Sequence, residues 1–347
     1  MTITFRTIHL TKRFPLVISR GVHRGSDNLF ISVTRDGLTG WGEMSPGGSE
    51  GAATAEEGRD AIQHFFTPQI AQLPLQDIHH QAREAKVPPC ALAALDIALW
   101  DWLGKCAGLP LYRLLGLGLP TTPSSVTLGI NPPEVVRERI PLLLDNTGIR
   151  SLKVKLGSPE GIEADKAMFA AVIEATRKRE LLLRVDANGG WSLEEAREMM
   201  TWLASREVEY IEQPLQEGEE HLLPALFKDR KLPIYVDESC RFAEDIPKWA
   251  DVVDGVNLKL MKCGGLTEAL RIVAVARAFG LKTMIGCMGE SSVSISAGAA
   301  IGALFDHIDL DSHLNLAPDP ATGVSLKNGV ITPNNHPGHG AQLIDAE

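Results

Sequence analysis

From about Ser124 onward the sequence repeats one pattern, a short apolar run and then a longer amphipathic stretch. The runs are SVTLGI (125–130), SLKVKL (151–156), LLLRVDA (181–187), VEYIEQP (208–214), PIYVDES (233–239), GVNLKL (255–260), KTMIGCM (282–288) and HIDLDS (307–312). Short apolar runs bounded by turn residues read as strands, and the stretches between them are long enough for helical crossovers. Lys155, Asp186, Glu212, Asp237 and Lys259 follow one another at 31, 26, 25 and 22 residues, about one βα unit each. Eight such units predict an α/β fold with a TIM-like (β/α)8-type barrel over residues 121–318. Residues 1–120 differ. They offer strands near 3–14, 28–35 and 38–43 and helices near 52–70 and 88–106, the last opened by Pro88 and Pro89. That predicts an α+β capping domain. Residues 319–347 are rich in Gly, Pro and Asn and are expected to return to the cap.

Bulk properties remove several function classes. The 347 residues are 44% hydrophobic and 22% charged, which is ordinary for a globular protein with a sizeable core. A formal net charge of -10 argues against nucleic acid and against an anionic membrane surface as partners. Five scattered cysteines without a CxxC predict free thiols in a reducing compartment. The start MTITFRTIHL lacks a basic segment followed by an apolar run, so no signal peptide and a cytoplasmic location are expected.

Active sites of such barrels lie at the C-terminal ends of the strands. Here strands two to six each carry a titratable residue near that end, namely Lys155, Asp186, Glu212, Asp237 and Lys259, and strand eight carries Asp309 and Asp311. Taken singly, each has a plain explanation. A carboxylate after a strand is commonly a helix N-cap, Asp186 could open an Asx-turn, and a lone strand lysine is commonly an edge residue. An unbroken run over five successive strands is not explained that way. Three carboxylates on adjacent strands would raise one another's pKa unless a cation sits among them. An all-oxygen set favours a hard ion, Mg²⁺ or Mn²⁺. Lys155 and Lys259 stand on strands two and six, opposite each other across the mouth. Two amines so placed can remove a proton from one face of a carbon and return it to the other. Lys153 alternates with Lys155 and shares its face, so it supplies positive charge beside that base and a donor for a substrate carboxylate.

The motifs KVK (153–155), VDANGGW (185–191), IEQPL (211–215), VDES (236–239) and NLKLMKCGG (257–265) resemble those of the enolase superfamily, in its muconate-lactonizing group. ALAALDIALWDWLGKCAGLPLYRLLG (91–116) resembles that family's capping-domain helix, and PGHG (337–340) its C-terminal return. The resemblance spans nearly the whole chain and implies a modified (β/α)7β barrel. It implies Asp186, Glu212 and Asp237 as metal ligands and Lys155 and Lys259 as the acid/base pair, with Lys262 as the other candidate for the second base. Asn188 is either a supporting residue or a turn residue. The implied chemistry is metal-assisted 1,1-proton transfer through an enediolate.

The group contains cycloisomerases, o-succinylbenzoate synthases, N-acylamino acid racemases and dipeptide epimerases. HIDLDSH separates them. Asp309 and Asp311 share a face of strand eight, opposite the metal strands. A substrate with a carboxylate on the metal and an ammonium at its far end fits that arrangement, and an extended dipeptide spans roughly 7 Å. The Asp-x-Asp pair resembles that of dipeptide epimerases, where it holds the α-ammonium. IGCMGES (285–291) also resembles their seventh-strand end. SRGVHRGSDN (19–28) holds Arg20, His23 and Arg24. In L-Ala-D/L-Glu epimerases an arginine of this region pairs with the glutamate side chain, so Arg20 and Arg24 imply that substrate. EMSPGGSEGAA (43–53) has no basic residue and offers Glu50, which suits a cationic or small apolar dipeptide equally. An o-succinylbenzoate synthase or N-acylamino acid racemase is the alternative enzyme, and a catalytically silent binding protein the alternative from another class. A homo-oligomer is expected.

Overall fold

The computed structural model describes residues 1–145 and 147–344. The chain opens with an antiparallel sheet of β1 (Thr2–Ile18), β2 (Gly21–Arg35) and β3 (Leu38–Met44), in that order. The hairpin is longer than the sequence predicts. Pairing continues through Leu16↔His23 and Val17↔Val22, beyond a register shift between Thr11 and Leu16. Segment 19–28 is polar and Gly-containing and lacks strand periodicity, but backbone pairing does not need side-chain alternation.

Four helices follow: α1 (Ala55–Phe65), α2 (Leu75–Glu84), α3 (Pro89–Ala107) and α4 (Leu111–Leu114). The sequence reading missed α2, although its buried Ile78, His79 and Ala82 carry the helical period. Helix α3 starts at Pro89 and ends against Gly108 in the left-handed conformation. It lies so close to β3 that a Cβ on Gly42 would stand 2.9 Å from the backbone N of Ala98. Its buried Leu92, Leu95 and Leu99 each contribute roughly 1.5–3 kcal/mol of burial.

The second sheet is parallel and has eight strands in chain order: β4 (Val126–Leu128), β5 (Ser151–Lys155), β6 (Leu182–Asp186), β7 (Val208–Glu212), β8 (Ile234–Val236), β9 (Gly255–Lys259), β10 (Lys282–Gly286) and β11 (His307–Ile308). Each falls inside one of the apolar runs read from the sequence. A parallel bridge between Ser124 and Ile308 brings the first strand to the last, and Ser125 N donates to Ile308 O at 2.9 Å. The connecting helices are α5 (Pro133–Leu144), α6 (Ile162–Thr176), α7 (Leu193–Ala204), α8 (Leu223–Lys228), α9 (Ile246–Trp249), α10 (Leu260–Cys263), α11 (Leu266–Ala278) and α12 (Ser292–Ala300). Among the described residues no helix follows β11, only a 3₁₀ turn at Ser312–Asn315, so the barrel is of the (β/α)7β form.

The chain then runs through short strands β12 (Ala321–Thr322), β13 (Val324–Lys327), β14 (Val330–Pro333) and β15 (Gln342–Leu343). Near its end Leu111 N donates to Gly338 O, and His339 N donates to Asp101 Oδ1 at 2.9 Å, joining this segment to α3 and α4. Residues 345–347 of the expected return lie outside the described residues. Among those described, no helix is long and apolar enough to cross a membrane.

Candidate active site

Strand register assembles the site. Lys155 pairs with Asp186, and Asp186 with Glu212, so three successive strands end level. In parallel strands paired neighbours point to the same face, and here that face is the barrel interior. Asp237 follows β8 and reaches the same spot. One oxygen from each of Asp186, Glu212 and Asp237 lies within 4.8 Å of the others, and all three residues are fully buried.

Polar neighbours hold each carboxylate in place. Asn188 N donates to Asp186 Oδ1 at 2.8 Å, and Asn257 Nδ2 to Glu212 Oε1 at 2.7 Å. The Asp237 backbone N donates to Gln213 Oε1 at 2.9 Å. Glu212 Oε2 and Asp237 Oδ1 accept no well-aligned hydrogen bond, although Lys153 and Lys262 approach them. Buried anionic oxygens left short of donors, in an all-carboxylate set, fit a hard divalent cation.

The lysines surround this cluster. Lys155 Nζ lies 2.5 Å from Asp186 Oδ2, and Lys259 Nζ lies 2.7 Å from Asp237 Oδ2. They approach from strands two and six, as the sequence predicts. Burial disfavours the Lys259 ammonium, but Asp237 outweighs it and raises its pKa. Burial raises Glu212, with Asp186 adding to the effect, whereas Lys155 and Lys153 overcome burial and hold Asp186 low.

Lys153 sits between the carboxylates and strand eight. Its Nζ is 2.6 Å from Asp309 Oδ2, 2.9 Å from Glu212 Oε2 and 3.2 Å from Asp186 Oδ2. Burial would lower its pKa, but those three carboxylates, Asp309 first, raise it well above its usual value. Lys262 is also buried. Its Nζ contacts the Asp237 carboxylate and donates to the carbonyls of Asn257 and Cys240 at 3.1 and 3.2 Å. A lysine fixed on backbone carbonyls is a brace for the loop after β8.

Asp309 and Asp311 lie just past β11. They are not equivalent, because only Asp309 contacts Lys153. Asp311 Oδ2 accepts from Thr127 N at 2.6 Å, and burial and then Asp309 push its carboxyl up to about 6. Arg20 Nη2 donates to Glu238 Oε1 at 2.6 Å, and Nη1 to Asn188 O at 3.2 Å. Its charge is already matched by a carboxylate of the chain. Arg24 is exposed and makes no ion pair among the described residues.

A cavity of about 220 Å³ joins Lys153, Lys155, Lys259, Asp309 and Asp311. Neither Arg20 nor Arg24 lines it. Thr127 and Lys12 do, and the sequence reading named neither. A neutral threonine inside a three-residue strand carries no motif signal. Lys12 sits in a long hairpin whose placement over the mouth depends on tertiary contacts such as the Lys12–Leu316 bridge.

Residues 1–116 match the N-terminal domain of the mandelate racemase / muconate lactonizing enzyme family, and residues 136–347 match the enolase C-terminal domain-like family. The chain is 65% identical over 346 residues to a hydrophobic dipeptide epimerase of Roseobacter litoralis, covering 100% of both chains. It is 62% identical to a second, from a Flavobacteria bacterium, covering 99% of this chain and 98% of the relative. Among solved structures, the Enterococcus faecalis dipeptide epimerase complexed with Mg and L-Leu-L-Tyr superposes with a TM-score of 0.89 at 32% identity, covering 98% of each chain.

Proposed function

We propose that this chain, which belongs to the mandelate racemase / muconate lactonizing enzyme family of the enolase superfamily, epimerises dipeptides with apolar side chains. It is an isomerase, a dipeptide epimerase using Mg²⁺. The observation that carries the reading is the pair of lysines meeting a buried carboxylate triad from opposite sides, Lys155 on Asp186 and Lys259 on Asp237.

Asp186, Glu212 and Asp237 hold the metal in this reading. Bound there, Mg²⁺ supplies electrophilic stabilisation of the negative charge that spreads onto the substrate carboxylate when the α-proton leaves. Lys153, raised and fully charged, donates to the same carboxylate and fixes its orientation. In one direction Lys155 Nζ, as the free amine, takes the α-proton of the C-terminal residue and Lys259 Nζ, as the ammonium, returns one to the opposite face. In the other direction the roles exchange. Asp311, with Asp309 beside it, accepts the substrate's α-ammonium. A binding protein would have no use for two opposed amines, and o-succinylbenzoate or an N-acylated amino acid offers no ammonium to these carboxylates.

The apolar preference is supported by the likeness, above 60% identity, to two hydrophobic dipeptide epimerases and by the engagement of Arg20 with Glu238. Among the described residues the cavity presents no arginine from 19–28 to an acidic side chain, which weighs against L-Ala-D/L-Glu as the preferred substrate. We also propose residues 1–120 as the lid, 121–318 as the catalytic barrel and 319–347 as the return. Further proposals are a cytoplasmic location, in keeping with five free cysteines, and a homo-oligomer, testable by light scattering.

The test is a dipeptide panel incubated with Mg²⁺ in D₂O and read by mass spectrometry. Deuterium at the α-carbon of the C-terminal residue, fastest for apolar pairs such as L-Leu-L-Tyr, is expected. Exchange confined to N-acylated amino acids would replace the reading with a racemase.

A further inference from the structure

The cavity does not stay inside the barrel. Thr127 pairs with Lys153, while Val126 and Leu128 pair with Leu152 and Val154. Lys153 points into the barrel, so Thr127 does too, and Val126 and Leu128 point outward. All three nevertheless line the same cavity as Lys155 and Lys259. It therefore passes strand one, from the inside of the ring to its outer face.

The outer arm lies where an eighth barrel helix would pack. The turn Ser312–Asn315 and the hairpin of β13 and β14 stand there instead. The arm is lined by Leu143 at the end of α5, Ile149 just before β5, Leu314 in the turn and Leu326 of β13. Phe14 of the lid also lines it, with the guanidinium groups of Arg139 and Arg13 at 4.1 and 5.0 Å from its ring centre. These arginines cover an aromatic face at the rim.

We propose that this outer arm is the subsite for the side chain of the dipeptide's N-terminal residue, and that it selects a large apolar group there. The inference rests on the reading above, in which Asp309 and Asp311 hold the α-ammonium. Those aspartates line the cavity where it passes strand one. The N-terminal side chain leaves the same carbon as the ammonium, so it starts at the entrance of the arm. An apolar slot beside a charged centre discriminates by size and by the cost of desolvating a polar group.

The experiment compares kcat/KM for L-Leu-L-Leu, L-Trp-L-Leu, L-Glu-L-Leu and L-Ala-L-Leu, which share their reacting residue. The wild-type protein is expected to prefer L-Leu-L-Leu over L-Ala-L-Leu. Leu143→Trp, which fills the arm, should lower that ratio at least tenfold. Leu326→Trp fills it from β13 and should act alike, so a folding failure in one variant leaves the other to decide. Leu143→Ala should raise the ratio for L-Trp-L-Leu over L-Ala-L-Leu. Folded variants with wild-type ratios would overturn the assignment, as would L-Glu-L-Leu outperforming L-Leu-L-Leu, which would make the arginines the selecting groups. If the wild-type protein exchanges the α-proton of every dipeptide equally well, the epimerase reading stands and the subsite falls. If it exchanges none, both fall.

Discussion

Strands β5 to β9 and strands β11 and β4 close one ring, yet the two arcs handle charge in different ways. On the first arc every ionised group meets another within the ring. Lys155 is on Asp186, Lys259 on Asp237, and Lys153 spans to Glu212. On the second arc Asp309 shares in that network through Lys153, but Asp311 has neutral donors, the backbone N–H and hydroxyl of Thr127 and the thiol of Cys287, and no ion pair among the described residues. Beside it the cavity turns apolar. The difference supports the proposed division, one arc for reaction, where charges are held against each other, and the other for recognition, where charge is left for a ligand to satisfy.

The sharpest way to break this division is at the metal triad. Glu212→Gln keeps the size of the side chain and removes one anionic ligand. Loss of electrophilic stabilisation worth several kcal/mol should lower kcat about a thousandfold or more. Exhaustive chelation should abolish turnover, and added Mg²⁺ should restore it. Full epimerisation by the metal-free protein would show that the reactive arc works by its lysines alone.

Next in size are the lysines themselves. General acid–base groups typically contribute 10²–10⁴-fold. Lys155→Ala and Lys259→Ala should each stop epimerisation in both directions. Each should keep deuterium exchange from the single epimer that the surviving lysine serves. Lys262→Ala separates the candidates for the second base. Its ammonium is fixed on backbone carbonyls, so the variant should melt earlier yet keep two-sided exchange. If instead Lys262→Ala is folded and inert while Lys259→Ala epimerises, the assignment is reversed.

These arcs also differ in how far the sequence disclosed them. Lys155, Asp186, Glu212, Asp237 and Lys259 were legible because each sits in the same local frame, the end of a short apolar run, at a spacing set by one βα unit. Of their supporting residues only Asn188 was named. Gln213 and Asn257 lie inside the motifs IEQPL and NLKLMKCGG, but their contacts run across strands, so position in the motif disclosed no role. The partner of Asp309 is 156 residues away, and that of Arg20 is 218 residues away. A cation in a loop reads as free when the carboxylate that binds it is remote in the chain. The hairpin of β1 and β2 was underestimated for a related reason, since 19–28 pairs through its backbone while its side chains follow no period.

On the recognition arc the expected effects are smaller. A hydrogen bond to a charged group contributes about 1.5–3 kcal/mol, so Asp311→Asn should lower kcat/KM for a free dipeptide by more than tenfold. It should leave the rate of the N-acetylated dipeptide, expected to be much lower from the start, nearly unchanged. Acidity offers a second handle. The Asp311 carboxyl is raised to about 6 by burial and Asp309, and in the proposed reading it can bind an ammonium only when ionised. Binding is therefore lost as pH falls through about 6, and the preference for the free dipeptide should shrink with it. A preference independent of pH between 5 and 8 would mean that Asp309 alone holds the ammonium.

The smallest effects belong to the lid arginines, and they test whether recognition extends to the hairpin tip. Arg20 is half exposed and bridges to Glu238, the residue after Asp237 of the proposed metal triad, and to the carbonyl of Asn188, two residues after Asp186. Part-exposed ion pairs are worth about 0.2–1 kcal/mol. Arg20→Ala should therefore raise KM by no more than about fivefold, by loosening the tip over the mouth, and should do so equally for every dipeptide. Arg24 has no such contact, so Arg24→Ala should change kcat/KM for apolar dipeptides by less than twofold. Selectivity is the decisive readout. If Arg20 acts only as a latch, its loss leaves the ratio of L-Ala-L-Leu to L-Ala-L-Glu unchanged. If that ratio rises tenfold because the glutamyl substrate alone suffers, Arg20 leaves Glu238 to bind an acidic side chain, and the recognition arc reaches across the mouth into the lid.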